Sequence, residues 1–242
     1  MKSKLFPLAI VVFALSVCSC YAITSDQILA KVKKLEAPFV DVSLSVKVTG
    51  DKNVLAEQED KFEQVLNLKN STIKYKKHNK VRVQGKLQGI NVLAIQNGYM
   101  RRLSGGIYNV KGDKKNDPGQ RQNSLDLGML SSAVWADNKV TVVSEANGVV
   151  MLKVDPIYGG NDKRHDNIWL DVNTLKLVKR ERYNGKGELR NLFEYKEYYQ
   201  VAPGYFMAIK YVGYNGKKKY MGTTTYTNIK VNQKLSDSLF KI

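Results

Sequence analysis

The chain has 242 residues, 43% of them hydrophobic and 25% charged, which is ordinary for a globular protein and leaves room for two domains only if both are small. Its net charge of +17 stands out. The basic residues recur through the predicted strands instead of clustering as in a nucleic-acid-binding arm, and an exported chain rarely meets nucleic acid, so that partner class is set aside.

Residues 1–22 read as a secretory leader outside the fold. Lys2 and Lys4 make a positive start, and residues 5–17 an apolar run shorter than the ~20 residues of a membrane span. Cys20-Tyr21-Ala22 supplies a cleavage site. Cleavage after Ala22 removes Cys18 and Cys20, so a single mature domain over 23–242 would fold with no disulfide and no thiol. A second reading takes Val17-Cys18-Ser19-Cys20 as a lipobox, with Cys20 acylated and the chain anchored to a membrane.

The mature chain opens on a helix. Thr24-Ser25-Asp26-Gln27 is a capping box, Ile28, Val32 and Leu35 share one face, and Pro38 ends the helix. Residues 40–48 are the cleanest strand, with Val40, Val42, Leu44, Val46 and Val48 alternating with polar residues. After a turn at 49–53, residues 54–68 fit either helix or strand, and the flanking strands favour strand. Asn70-Ser71-Thr72 is an N-glycosylation sequon, meaningful only in a eukaryotic source. Strands follow over 72–77, 81–87 and 91–96, with a hairpin turn at Gln96-Asn97-Gly98-Tyr99.

Residues 104–123 are polar and turn-rich and read as one long mobile loop. Residues 125–135 read as a short apolar helix. A hairpin over 140–144 and 149–155 turns at Asn147-Gly148, and 156–167 form a second loop. From 168 to 242, runs rich in Val, Ile, Tyr, Phe and Thr are cut by Asn-Thr, Asn-Gly and Ala-Pro-Gly, the pattern of an antiparallel meander. The lysines and arginines of these strands form a solvated face, or one drawn to anionic headgroups at about 1 kcal/mol per basic residue.

Catalytic signals are thin. His78 sits in a Lys-rich turn, and His165 has Asp162 and Asp166 nearby, a cluster better read as a solvated turn than as a metal site. There is no G-x-S-x-G elbow, H-E-x-x-H, P-loop or dinucleotide fingerprint, so no cofactor and no enzymatic activity are expected. A helix followed by many antiparallel strands instead describes a sheet that can curl around an apolar cavity. Acyl chains suit such a cavity, because each buried methylene is worth ~0.8 kcal/mol.

The chain resembles the outer-membrane lipoprotein-sorting proteins, the LolA-like carriers. The opening helix and the V-x-V-x-L-x-V-x-V strand carry part of the resemblance, and Lys80-Val81-Arg82-Val83 with Gln96-Asn97-Gly98-Tyr99 another part. The segment 169–174, WLDVNT, followed by 179–187, KRERYNGKG, is similar to the family's W-x-D-x-x-T … K-R-E-x-Y-D-x-K-G hairpin. Residues 225–232 and 235–240 are similar to its closing V-N … L-P-D-S-L-F. Asn97 replaces the Asp of the family's D-G turn, and Ser236 its closing Pro.

The resemblance implies an α+β, mostly antiparallel fold, an incomplete β-barrel with helices covering the open face. It implies a monomeric periplasmic carrier of acylated lipoproteins or lipids, in transient contact with membranes or an inner-membrane release complex. Val42, Leu44, Val46, Val83, Leu93 and Ile95 would line the cavity. The segment 124–135 would be its lid, with Met129, Leu130 and Trp135 touching lipid and Lys77 or Arg82 bonding the lid. A membrane-anchored receptor or a protein-binding signalling module of the same fold are the alternatives.

Overall fold

The computed structural model describes residues 23–58, 62–160 and 163–242; the leader, both cysteines and Asp162 lie outside these. The chain opens on helix α1 (Ser25–Glu36). Its capping box forms as the sequence dictates: Thr24 Oγ1 accepts from Gln27 N at 3.2 Å, and Gln27 Oε1 accepts from Thr24 N at 2.8 Å.

Among the described residues, thirteen strands make one antiparallel sheet. The first six are β1 (Asp41–Gly50), β2 (Lys69–Lys76), β3 (Lys80–Leu87), β4 (Ile90–Asn97), β5 (Met100–Gly105) and β6 (Tyr108–Asp113). Then come β7 (Asn138–Ala146), β8 (Val149–Pro156), β9 (Asp166–Asp171), β10 (Leu177–Tyr183), β11 (Leu189–Ala202), β12 (Tyr205–Asn215) and β13 (Tyr220–Val231).

Their spatial order is β6-β5-β4-β3-β2-β1-β13-β12-β11-β10-β9-β8-β7. Pairing of β1 with β13 joins the two meanders, with Val46 opposite Tyr226. The sheet is not closed into a barrel: β6 and β7 are its two edges, although they are consecutive in the chain. The connection between them, residues 114–137, therefore has to cross from one edge to the other. That crossing lays residues 124–134 against both halves of the sheet.

Three segments differ from the expected elements. Residues 54–58 and 62–68 are not a strand. They hold a short helix α2 (Lys52–Ala56) and a 3-10 turn (Phe62–Asn67). Asp51 decides this by capping, its Oδ1 accepting from Asn53 N at 2.9 Å and Val54 N at 3.2 Å. Because β1 pairs directly with β2 and with β13, no further strand lies between them.

Residues 104–123 are not one long loop. The glycine pair is the turn of a β5–β6 hairpin, with Gly105 opposite Tyr108. As an edge strand, β6 leaves Tyr108 and Val110 exposed. Residues 125–135 are not one helix but a 3-10 turn (Ser124–Leu127), a break at Gly128 and helix α3 (Ala133–Asp137). The Asn147-Gly148 hairpin forms as expected, both residues taking positive φ (51° and 76°).

Two buried clusters fill part of the concave face. In one, Ile28 and Val32 of α1 pack on Val150, Leu152, Ile168 and Leu170. In the other, Val42, Leu44 and Tyr75 meet Leu127, Met129 and Met207. The segment 124–134 contributes to both clusters, so the lid is the wedge that joins them.

Candidate functional site

Along β1 the interior changes from filled to open. Val42 and Leu44 are buried in the core, whereas Val46 and Val48 border a cavity of about 750 Å3. That volume lies in the range of roughly 300–1,000 Å3 typical of small-molecule sites. Val46, Val48, Ile73, Val83, Phe193 and Met221 form an apolar floor, Leu55 of α2 closes one end, and Leu125 and Leu127 form the roof.

The roof is a short segment pinned at many points. Gly128 sits at φ 71° against β12, where an added Cβ would lie 2.7 Å from Ala208 Cβ. Only glycine fits that backbone and that approach. Ala208 N donates to Gly128 O at 2.9 Å. Three tyrosine hydroxyls donate to roof carbonyls: Tyr195 to Leu125, Tyr205 to Leu130 and Tyr226 to Asp126. Burial raises the pKa of all three, so they remain neutral donors across the physiological range. Gln96 of β4, on the other side of β1 in the sheet, clasps Gln122: its Nε2 donates to Gln122 O at 2.6 Å, and Gln122 N donates to its Oε1 at 2.7 Å.

The strongest tie is ionic. Arg180 on β10 is 3% exposed at its side chain, and its Nη1 donates to Asp126 Oδ1 on the roof at 2.8 Å. Its Nε and Nη2 grip Asp166 Oδ2 at 2.8 and 2.6 Å. Arg182 stands 3.6 Å from Asp126 and 3.7 Å from Asp166. Burial alone would raise the Asp126 pKa, but the Arg180 and Arg182 charges outweigh it and hold the carboxyl below its ordinary value. Burial likewise disfavours the Arg180 charge, and Asp166 and Asp126 more than restore it.

The expected cavity residues divide by strand register. Val46 and Val83 line the cavity; Val42 and Leu44 lie in the adjoining core. Leu93 and Ile95 do not join them. Val83 pairs with Ala94, while Leu93 pairs with Gln84 and Ile95 with Arg82, which puts both on the outer face. There Arg82 Nη1 bonds Leu239 O beside the C-terminal 3-10 turn. Met129 and Leu130 are fully buried core residues of the lid, and the cavity is met instead by Leu125, Asp126 and Leu127. Trp135 packs against the first cluster and donates from Nε1 to Ser25 Oγ at 2.9 Å.

Neither expected lid partner reaches the lid: Lys77 Nζ bonds Ala37 O at 3.2 Å, and Arg82 belongs to the outer face. The arginine that does is Arg180, and a bulge explains why sequence reading missed it. The register slips between Leu177, opposite Leu170, and Lys179, opposite Trp169, so Leu177 and Arg180 both face inward although three residues apart. His165 stacks on Tyr183 with ring centroids 4.3 Å apart, and among the described residues no three His, Cys, Asp or Glu side chains gather as a metal-ion ligand set.

No protein-family model and no curated protein matches the sequence. Solved structures do match the fold. An outer membrane lipoprotein-sorting protein domain from Vibrio parahaemolyticus superposes with a TM-score of 0.60 at 15% identity, over 88% of this chain and 95% of that one. A LolA superfamily protein from Nitrosomonas europaea gives a TM-score of 0.59 at 14% identity, over 91% of this chain and 99% of that one. The chain therefore has the open-barrel fold of the LolA-like proteins.

Proposed function

We propose that this protein is an exported, non-enzymatic carrier that shields the acyl chains of lipoproteins or related lipids in its half-barrel and shuttles them to the outer membrane. The single observation that carries the reading is the cavity of about 750 Å3 between an aliphatic sheet floor and a pinned roof. Acyl chains would lie on Val46, Val48, Ile73 and Val83 beneath Leu125 and Leu127. Each methylene withdrawn from water contributes about 0.8 kcal/mol, so binding needs no catalytic group.

Two further observations support it. The fold is that of a solved domain whose name ties it to outer membrane lipoprotein sorting. The leader pattern over residues 1–22 supports export to the periplasm as a single mature domain. In this reading the carrier works as a monomer and meets membranes, or an inner-membrane release complex, only while loading and unloading. Displacement of a fluorescent fatty acid tests it. A diacyl lipopeptide should displace the probe stoichiometrically; a protein that takes up neither would not be a carrier.

A further inference from the structure

We propose that the arginine-lined end of the cavity holds an oxyanionic headgroup, so that the preferred ligand is an anionic amphiphile and not a neutral one. The proposal rests on the carrier reading of the same cavity.

The apolar cavity continues into a small polar pocket of about 50 Å3, and the two share Arg121, Arg164, Arg180 and Arg182. With Arg101 and Arg190, six arginines line the combined space, together with Asp126, Asp137 and Asp166. All of the cationic lining residues are arginines; no lysine is among them. Guanidinium groups present paired N–H donors that match the oxygens of a phosphate or carboxylate.

Arg180 is engaged by its two carboxylates, but Arg121 is not satisfied in that way. Its side chain is 9% exposed and its Nη1 lies 3.7 Å from Asp137 Oδ2, with no hydrogen-bond acceptor of its own. The guanidinium sits 5.5 Å from the Tyr99 ring centroid, which helps fix its plane. A buried N–H without an acceptor is unfavourable unless something fills the place. Across the pocket, the Arg164 guanidinium occupies the space that a Cβ on Gly119 would need. Gly119 thus admits Arg164 to the pocket wall. The floor takes a chain, and the arginine end takes the charge at its head.

The test compares three probes by calorimetry on the mature protein: lysophosphatidic acid, a monoacylglycerol of the same chain length, each below its micelle concentration, and inorganic phosphate. The expected result is lysophosphatidic acid binding about tenfold tighter than the monoacylglycerol, as a charge-assisted hydrogen bond would give. Arg121→Gln should shrink that ratio below about threefold, and Arg121→Lys should restore part of it. Equal affinities in the unaltered protein, or a ratio indifferent to Arg121→Gln, would overturn the headgroup site while leaving the carrier reading intact. Binding of neither amphiphile would overturn both readings. Phosphate binding without lipid binding would mark a site for a free anion and likewise overturn the proposal.

Discussion

Arg180 Nη1 and Asp126 Oδ1 meet at 2.8 Å across the top of the half-barrel, one on strand β10 and the other on the roof. The pair ties a sheet residue, itself braced by Asp166, to the segment that crosses between the sheet's two edges. Breaking a buried pair by removing one partner costs more than the pair itself contributes. Arg180→Ala leaves Asp126 and Asp166 facing each other with only Arg182 nearby, and should lower stability by about 3–5 kcal/mol in urea unfolding. Asp126→Asn keeps Arg180 paired with Asp166. It should cost about 1–3 kcal/mol and quicken exchange of a bound acyl probe, because it loosens only the roof.

The same pair predicts an acid response. Asp126 has its pKa held below its ordinary 3.8, so between its folded value and 3.8 the unfolded chain binds more protons than the folded one. The stabilisation is therefore complete above pH 3.8 and is lost as pH falls through the folded value. Asp237, lowered to about 2 by hydrogen bonds from Lys76 and Lys80, behaves the same way on the outer face. Unfolding midpoints should be flat near neutrality and fall below about pH 4, and Asp126→Asn should flatten that fall.

Gly128 fixes the break in the roof. At φ 71° and with Ala208 Cβ in the way, Gly128→Ala combines backbone strain with a steric clash. Strain alone costs on the order of 1–3 kcal/mol. Thermal unfolding of Gly128→Ala should show at least that loss, and Gly148→Ala, where nothing lies within 4 Å of an added Cβ, should show less.

A contrast between two strand residues checks the cavity. Val83 borders it, and Leu93, on the adjacent strand but of opposite parity, faces outward. Val83→Glu places a carboxylate on the apolar floor and should abolish uptake of a fluorescent fatty acid. Leu93→Glu should leave uptake within about twofold, since a surface substitution changes stability by only about 0.5 kcal/mol.

That contrast also marks what the sequence could tell. The helix cap at Thr24, the alternation of β1, the Asn147-Gly148 turn and the closing meander were legible because each is a local pattern with a local cause. Residues 90–97 were not, because Val92 and Ala94 are apolar on one face and Leu93 and Ile95 on the other. Only pairing with β3 chooses between them. The C-terminal 3-10 turn then covers the outer face and buries Ile95, a tertiary event that no alternation encodes.

The lid was legible as an apolar segment but not as a broken one. Its conformation is imposed by Gly128 lying on β12, about 80 residues away, and by tyrosines from β11, β12 and β13. Arg180 escaped notice because a bulge in β10 reverses the parity that a regular strand would have given it.

Native mass spectrometry of the protein, purified without detergent from the exported fraction, reads directly whether the half-barrel carries an acyl chain. The spectrum should show an adduct with the mass of an acylated species, absent from Val83→Glu and retained by Leu93→Glu. A bare protein mass in all three, with no uptake of a diacyl lipopeptide on incubation, would contradict it.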